Sequence, residues 1–323
     1  MPMEPAAPII RVVGLTKSFG AVKALDHVSF AVPPGEIFGY LGPNGAGKTT
    51  TINILCGLLS RDSGLVSIGG VDIAVEPVTV KQRLGVVPDA SNLYPELSCR
   101  QNLEYLGELY GLSKAKRRVR SRELLETFGL EDKAAIPFGA LSRGLKRRLT
   151  IAAALVHSPE ILFLDEPTTG LDVPSAKALR TLLQRLNRQA GITVFLTTHN
   201  LFEAEELCHR VQIIHRGRTV AAGTAADIRQ QVTARKTLEV ALAPPVTPSW
   251  WQGVKVSGPP PLALNGRWRL EVAAQDLHEG LRQLLDLAEA TGVKIVDLAV
   301  TGANLEEAFL AILQEPRAEE PTP

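Results

Sequence analysis

The amino-acid sequence predicts an α/β fold with a buried, largely parallel sheet, followed by a small α+β C-terminal domain. Short apolar runs rich in valine and isoleucine alternate with helical patterns from about Ile9 to Arg229, which is typical of strands covered by helices. The composition then changes, because residues 243–261 contain APP, TP and GPPP, and proline fits neither a helix interior nor a central strand. The length of 323 residues agrees with about two domains.

The strands of the first domain, residues 9–230, fall into two groups. The opening stretch Ile9–Val32 contains shorter strands with turn residues between them and predicts an antiparallel edge layer. The later apolar runs predict the central sheet, and they lie at Ile37–Leu41, Leu84–Val87, Ile161–Leu164, Thr193–Thr197 and Val211–Ile214.

An all-helical insertion is predicted at about residues 89–160. Ser98 and Gln101 have the spacing of a capping box, and apolar residues then recur at helical spacing until Gly111 ends the helix. A basic run in this insertion has two interpretations, a solvated helix face or a contact with anionic headgroups or a membrane partner. The run comprises Lys114, Lys116, Arg117, Arg118, Arg120 and Arg122.

The second predicted domain spans residues 235–314 and contains no catalytic pattern. Leu264–Arg267 has the Asn-Gly centre of a type I′ hairpin. Asp276 and Glu279 mark the start of a helix that Gly292 closes. The remaining expectations are a strand at Val293–Val300, a last helix at Asn304–Leu313, and disordered termini at residues 1–8 and 315–323.

Charge and hydropathy exclude several classes of function. The 35 Lys+Arg against 34 Asp+Glu give a net charge of +1, which argues against the broad positive field of a nucleic-acid binder. The apolar runs are shorter than the about 18 residues that a membrane crossing needs. The N-terminal residues lack the pattern of a secretory signal. We therefore expect a cytoplasmic protein without a nucleic-acid partner.

A phosphate-binding loop follows the strand predicted at Ile37–Leu41. Residues 42–49 read GPNGAGKT and match the pattern GxxxxGK[ST]. Glycines let successive backbone N–H groups face phosphates, and the N-terminus of the following helix adds its positive end. Lys48 is expected to reach the β- and γ-phosphates, and Thr49 to ligate Mg²⁺. The predicted nucleotide-binding residues of the loop are Gly42, Pro43, Asn44, Gly45, Ala46, Gly47, Lys48, Thr49 and Thr50.

Two carboxylates follow the buried strand predicted at Ile161–Leu164. Ligands bind at the carboxyl ends of strands in open α/β sheets, so Asp165 is expected to hold Mg²⁺ or its water. Glu166 is placed to orient and deprotonate an attacking water. Together with the phosphate loop, these residues predict a nucleoside triphosphatase.

With these motifs in order, residues from about Ile9 to Arg229 resemble the ATP-binding subunit of an ATP-binding-cassette (ABC) transporter. The resemblance implies a P-loop NTPase cassette that binds and hydrolyses ATP with Mg²⁺. LSRGL at 141–145 resembles the signature loop of the family. By that resemblance, Ser142 and Gly144 contact ATP held by the opposite subunit of a dimer.

Three further positions fit the same family. GLD at 170–172 resembles the loop through which the two ATPases communicate, with Asp172 as its acid. His199 resembles the switch histidine that hydrogen-bonds the γ-phosphate and is expected to act in catalysis with Glu166. Phe19 resembles the aromatic residue that stacks on adenine, while a position in the core is the alternative for this ring.

One position departs from the family pattern. After the strand at Leu84–Val87, most members place a glutamine that touches Mg²⁺ and the water, whereas this chain reads VVPDASNLY with Asp89 at that position. A carboxylate can still ligate Mg²⁺, but its charge near the γ-phosphate is unfavourable. The residue types therefore predict retained ATP binding and leave hydrolysis open.

The C-terminal sequence indicates which type of ABC ATPase this chain resembles. TGANLEEAFLAIL at 301–313 resembles the closing segment of ATPases from bacterial drug and polysaccharide exporters, notably the daunorubicin-resistance type. The resemblance implies a homodimer or heterodimer at the inner face of the cell membrane, which powers a separate integral-membrane permease for a drug-like, lipid or polysaccharide substrate. An ATP-binding regulatory or weakly hydrolysing ABC protein outside transport is the alternative, because of Asp89.

Overall fold

The chain, here as a computed structural model, divides into two compact units, Met1–Ala222 and Gly223–Pro323. This division falls before the helix Ala225–Val232, part of which the sequence analysis assigns to the first domain. Among the described residues, no helix has the length and apolar content of a membrane span. The structure describes residues 7–232, 235–254, 262–264, 267–273, 277–302 and 309.

Strands and helices alternate along the first unit. Its strands are β1 (Ile10–Phe19), β2 (Val22–Val32), β3 (Ile37–Leu41), β4 (Ser63–Ile68), β5 (Val71–Asp72), β6 (Leu84–Val87), β7 (Ile161–Asp165), β8 (Thr193–Thr198), β9 (Arg210–His215) and β10 (Arg218–Gly223). Its helices are α1 (Lys48–Leu55), α2 (Pro77–Lys81), α3 (Cys99–Leu109), α4 (Lys114–Thr127), α5 (Arg143–Ala154), α6 (Val173–Ala190) and α7 (Leu201–Leu207), with 3₁₀ turns at Glu131–Lys133 and Phe138–Ala140.

A central sheet has the strand order β10-β9-β3-β8-β7-β6. The pairs β6–β7, β7–β8, β8–β3 and β3–β9 are parallel. Strands β3 and β8 are buried along their whole length, which explains their continuous apolar sequences. The five predicted central strands are confirmed to within one residue at each end.

The predicted antiparallel edge layer is formed by β1, β2, β4 and β5, in the order β2-β1-β4-β5. The expected turn is present at residues 20–21, but the expectation of shorter strands is wrong, because β1 and β2 have 10 and 11 residues. The register of this pair shifts between Val12 and Leu15, where Gly14 has a φ of 60°. Such a bulge breaks the alternation of side chains without ending the strand.

The predicted helical insertion lies between β6 and β7. Ser98 forms the expected capping box before α3, since the Gln101 amide donates to Ser98 Oγ at 3.2 Å and the Ser98 amide donates to Gln101 Oε1 at 2.8 Å. Helix α3 ends just before Gly111, whose φ of 77° is left-handed. Both signals read from the sequence are therefore confirmed.

The basic run lies on α4, and its six residues divide into two that form ion pairs and four that are exposed. Arg117 pairs with Glu108 at 2.6 Å, and Arg120 pairs with Glu123 at 3.2 Å. The other four basic side chains are exposed, which is the arrangement of a solvated helix face. These four residues are Lys114, Lys116, Arg118 and Arg122.

An aromatic cluster packs the edge layer against the central sheet. The fully buried Phe195 on β8 has four aromatic neighbours at ring-centroid separations of 5.4 to 5.7 Å. A second, largely aliphatic cluster includes residues of the helical insertion, among them those of α5, and residues of α6. The central sheet is thus covered on both faces, and its site-bearing ends are fixed by packing. The neighbours of Phe195 are Phe30, Phe38, Tyr40 and Phe163.

The second unit contains an antiparallel sheet in the order β12-β13-β11-β14. Leu264 pairs with Arg267, as expected for the predicted hairpin. The elements are α8 (Ala225–Val232), β11 (Arg235–Ala243), a 3₁₀ turn (Pro248–Gly253), β12 (Leu262–Leu264), β13 (Arg267–Ala273), α9 (Leu277–Thr291) and β14 (Lys294–Gly302). The small core of this unit contains Leu238, Val240, Trp251, Leu270 and Leu284.

Several predictions for the chain ends and for this unit fall outside the described residues. They concern Asn265, Gly266, Asp276, the last helix at Asn304–Leu313 apart from Phe309, residues 1–6, and the tail 315–323.

We expect Phe195→Ala to lower the free energy of unfolding of the first unit by about 3–5 kcal/mol, because a fully buried ring is replaced by a cavity. Denaturant unfolding followed by circular dichroism measures this loss. The control is Phe202→Ala on α7, which removes a ring that is 59% exposed and lies 5.3 Å from the Arg180 guanidinium. Its expected cost is below about 1 kcal/mol. Equal losses in the two variants would contradict the core assignment of Phe195.

Candidate functional site

A cavity of about 380 Å³ opens where β3, β6, β7 and β8 end. Most of its lining was predicted from the sequence, and the structure adds Ala24 and Thr169. The lining residues are Ala24, Asn44, Gly45, Gly47, Lys48, Thr49, Thr50, Asp89, Asp165, Glu166, Thr169 and His199.

The loop between β3 and α1 forms one wall of this cavity. The Ala46 amide donates to the Pro43 carbonyl at 3.2 Å, so the backbone curls before α1 begins at Lys48. Gly42 is required by close packing, because a Cβ there would lie 2.3 Å from the Ile214 carbonyl oxygen. Gly47 has a φ of 110°, which only glycine adopts readily. The loop therefore presents backbone N–H groups and a helix N-terminus, which together favour an anionic ligand.

The ammonium group of Lys48 lies between this loop and the acids. Only 7% of Lys48 is exposed, and its Nζ donates to the Gly42 carbonyl at 2.8 Å and to the Pro43 carbonyl at 3.3 Å. Its Nζ also lies 3.5 Å from Glu166 Oε1. A cation is thus fixed at the base of the cavity, where several phosphate oxygens could share it.

Asp165 is fixed by two hydroxyl groups. Thr197 Oγ1 donates to Asp165 Oδ1 at 2.5 Å, and Thr49 Oγ1 donates to Asp165 Oδ2 at 3.4 Å. A carboxylate beside a hydroxyl oxygen suits Mg²⁺, which prefers oxygen ligands and keeps several waters. Among the described residues, no cluster of three or more His, Cys, Asp or Glu forms a metal site. The Asp165 carboxylate and the Thr49 hydroxyl fit a Mg²⁺ whose other ligands are water or phosphate oxygens.

Glu166 has a strained backbone, with a φ of 47° in the left-handed region. Its amide donates to both the carbonyl oxygen and Oγ1 of Thr197, each at 3.2 Å. Its Oε2 accepts a hydrogen bond from Thr169 Oγ1 at 3.1 Å and lies 2.7 Å from His199 Nδ1. The carboxylate is therefore aimed into the cavity and oriented by groups from two strand ends.

Three contributors to the site were missed by sequence reasoning. Thr197 and Thr169 position the two acids, and Ala24 of β2 lines the cavity. Thr197 could have been found, because neighbouring parallel strands place it in register with Asp165. The edge layer gives no comparable signal, since its route to the cavity depends on tertiary packing.

Phe19 ends β1 and does not line the cavity. Its ring is 51% exposed and lies 5.6 Å from Lys17 Nζ. The alternative of a core aromatic is therefore wrong, while stacking on adenine stays a prediction.

The signature motif and the GLD motif both lie against Ser175, and they do not line the cavity. Ser142 is exposed and caps α5, accepting a hydrogen bond from the Leu145 amide at 3.4 Å. A Cβ on Gly144 would lie 2.7 Å from Ser175 Oγ. The Ser175 amide donates to Asp172 Oδ1 at 2.7 Å, and this bond lowers the pKa of Asp172. The tip of α5 thus packs against the start of α6, and neither Ser142 nor Asp172 lines the cavity.

A parallel sheet with a glycine-rich loop, a buried lysine and two strand-end acids defines a P-loop nucleotide-binding protein. A family profile described as ABC transporter matches residues 25–169. The chain is 35% identical over 320 residues to the daunorubicin/doxorubicin resistance ATP-binding protein DrrA of Streptomyces peucetius, covering 95% of this chain and 93% of that protein. It is 38% identical over 314 residues to the Nod factor export ATP-binding protein I of Paraburkholderia xenovorans (strain LB400), covering 90% and 96%.

A solved structure supports the same assignment. It is described as the dimeric, post-hydrolysis state of an ATP-binding cassette bound to ADP and Pi, and it superposes with a TM-score of 0.60 at 28% identity. The match covers 67% of this chain and 98% of that one. This chain belongs to the ABC transporter family, in which it is an ATP-binding ATPase cassette. The sequence-based prediction of the family and fold class is confirmed.

We expect Thr197→Val to lower kcat about tenfold, equivalent to about 1.4 kcal/mol of activation free energy, because Asp165 and the Glu166 amide lose their shared hydroxyl. ATP affinity is expected to change less than about twofold, since the phosphate loop keeps its contacts. Phosphate release and fluorescent-nucleotide titration measure the two quantities.

The matched control is Thr193→Val on the same strand. Thr193 is buried and accepts a hydrogen bond from the Gly35 amide at 2.9 Å, at the opposite end of β8. It should leave kcat unchanged. A similar fall in kcat for both variants would show that Thr197 acts through general stability alone.

Proposed function

We propose that this chain is the ATP-binding and hydrolysing subunit of an exporter. The observation that carries the proposal is one cavity that joins Lys48 of the phosphate loop to Asp165, Glu166 and His199. A phosphate-binding cation, a Mg²⁺-binding acid and a base for water are the groups that phosphoryl transfer to water requires.

The roles of the residues follow from their contacts. The amides of the phosphate loop and Lys48 bind the β- and γ-phosphates, and Thr49 with Asp165 holds Mg²⁺. Bound there, Mg²⁺ neutralises charge on the phosphate oxygens. Glu166 orients the attacking water and takes its proton, and the 2.7 Å contact with His199 orients this carboxylate in the cavity.

A second subunit completes each nucleotide site in this proposal. Ser142 and Gly144 bind the γ-phosphate of ATP held by the partner, and Asp172 connects the two sites. The proposal is supported by the exposure of Ser142 at a helix N-terminus, outside its own cavity. A dimeric assembly of a related cassette agrees with it. ATP then closes the dimer, because its γ-phosphate contacts exist only in the closed state, and hydrolysis removes them.

The names of the relatives favour transport out of the cell. One relative is called a drug-resistance protein and another an export protein, and each aligns along nearly its whole length. We infer that residues 9–230 form the ATPase domain, that residues 235–314 form an accessory domain, and that a separate permease supplies the membrane path. The subunit then works in the cytoplasm against the inner face of the membrane. In this proposal the exposed ring of Phe19 stacks on adenine. The comparisons lend no support to a regulatory protein outside transport.

We expect Glu166→Gln to reduce ATP turnover at least about a hundredfold while ATP affinity is retained, because the amide cannot accept the proton of water. The variant should also accumulate as an ATP-bound dimer, which light scattering after gel filtration measures. The control is Glu160→Gln, whose side chain pairs with Arg83 next to the other end of β7. Unaltered turnover in Glu166→Gln would reject this residue as the base.

We expect Asp89→Gln to raise turnover about two- to tenfold, because a negative charge is removed from the cavity that receives the γ-phosphate. This rise corresponds to an activation free energy lower by about 0.4–1.4 kcal/mol. Steady-state rates over a series of Mg²⁺ concentrations measure the effect. Asp132→Asn, at an exposed acid of the insertion that pairs with Lys133, is the control. If Asp89→Gln changes neither Mg²⁺ affinity nor turnover, Asp89 has no part in the site.

A further inference from the structure

A single buried side chain, Arg147, joins the two segments that carry the acids of the site. Arg147 lies in the second turn of α5, and only 9% of it is exposed. Its Nη1 donates to the Pro88 carbonyl at 2.6 Å and to the Asp89 carbonyl at 3.3 Å. Its Nη2 donates to the Asp165 carbonyl at 2.6 Å, and its Nε donates to the Pro167 carbonyl at 2.9 Å. The guanidinium thus bridges the loop after β6 and the end of β7.

These bonds enclose the strained residue of the site. The carbonyls of Asp165 and Pro167 flank Glu166, and the same side chain binds both. The amide of Glu166 is bound from the opposite direction by Thr197. Left-handed backbone in a residue other than glycine persists only where its surroundings fix it. Arg147 and Thr197 are those surroundings.

The chemistry of the contact requires arginine rather than any cation. A planar guanidinium presents its donors in a fixed fork and can bind separate carbonyls at once, whereas a lysine ammonium is a compact point charge. Burial lowers the pKa of Arg147, and the negative charges of Asp89 and Asp165 oppose that shift. The neighbouring acids therefore stabilise a charge that burial alone would disfavour.

We propose that Arg147 is a positioning residue for ATP hydrolysis, which holds the Asp89 loop and the Asp165–Glu166 strand end in one fixed arrangement. The inference rests on the proposed roles of Asp89, Asp165 and Glu166 in the reaction. Arg147 does not itself line the cavity, and its hydrogen bonds go to main-chain carbonyls, including those of the lining residues Asp89 and Asp165, and not to the phosphate loop. Substitution of Arg147 should therefore change turnover and Mg²⁺ binding, and it should leave the affinity for ATP in the absence of Mg²⁺ unchanged.

The position of Arg147 also ties these acids to the signature motif. Ser142 caps the same helix five residues earlier, which is about 7.5 Å along the axis at 1.5 Å per residue. If Ser142 binds the partner's nucleotide as proposed, Arg147 is the hydrogen-bonded connection between that end of α5 and the acids of this subunit.

The test compares Arg147→Lys and Arg147→Met in the full chain. The lysine variant keeps the charge and loses the fork, and we expect kcat to fall at least about tenfold. The methionine variant loses both, and we expect a fall of about a hundredfold. In both variants, affinity for a fluorescent ATP analogue without Mg²⁺ should stay within about twofold, while the half-saturating Mg²⁺ concentration for nucleotide binding should rise at least about threefold.

The matched control is Arg210→Lys, measured with the thermal midpoint of every variant. Arg210 also binds a backbone carbonyl, that of Ala31, and pairs with Glu36, but it lies at the start of β9, away from the cavity. Arg210→Lys should lower the thermal midpoint and leave kcat and the Mg²⁺ dependence unchanged. The inference is overturned if Arg147→Lys keeps kcat and Mg²⁺ dependence, or if Arg210→Lys changes them equally. If Arg147→Met does not fold, the lysine variant decides alone.

The Glu166→Gln variant separates this inference from the proposed function. If that variant keeps full turnover, the assigned roles of the acids are wrong and the positioning role falls with them. If Glu166→Gln is inactive while Arg147→Lys matches the unsubstituted chain in kcat and Mg²⁺ dependence, only the inference about Arg147 is wrong.

Discussion

The parallel pairing of β7 with β8 is the constraint on which the site depends. It sets Asp165 opposite Thr197, so the acid of one strand meets the hydroxyl of the next at 2.5 Å. Side chains alternate between the two faces of a strand, so a slip of one residue would turn one of these groups to the opposite face. The register is fixed in turn by the buried apolar residues of both strands, including Phe163 and Phe195. The packing of the core therefore also fixes the alignment of Asp165 with Thr197 in the site.

The charges of the cavity balance one another within a short distance. The Lys48 ammonium lies 3.5 Å from the Glu166 carboxylate and also binds two carbonyl oxygens of its own loop. A lysine so buried needs these partners, because an isolated charge would be costly away from water. The same partners leave its charge available to phosphate oxygens that enter beside Glu166. In the proposed mechanism, recognition of the phosphate and activation of water are thus arranged around one ion pair.

Much of this arrangement could be predicted from sequence, and the reasons differ by element. The phosphate loop and the acids after β7 are local patterns, and the strands that carry them are continuous apolar runs, so their positions were predicted to within one residue. The edge layer was described less well, because bulges at Gly14 change the register without ending β1. Phe19 also shows this limit, since a single ring in a sequence does not reveal whether it is buried.

Arg147 marks a different limit of sequence reasoning. It stands inside the run Lys146-Arg147-Arg148, which resembles a solvated basic surface. Only the path of α5 past β7 turns one of these three side chains inward to four backbone carbonyls. Contacts of side chains with main-chain atoms leave no pattern of residue types, because any residue supplies a carbonyl. Thr169 was missed for a related reason, since a threonine after an acidic strand has no distinctive spacing.

The left-handed backbone at Glu166 has a consequence for redesign of the chain. Selection of variants for thermostability alone would favour glycine or asparagine at position 166, since either residue relieves local backbone strain of about 1 kcal/mol or more. Either replacement removes the carboxylate. If Glu166 is the base as proposed, activity and thermal stability make opposite demands on this position, and gains in stability have to come from elsewhere in the chain.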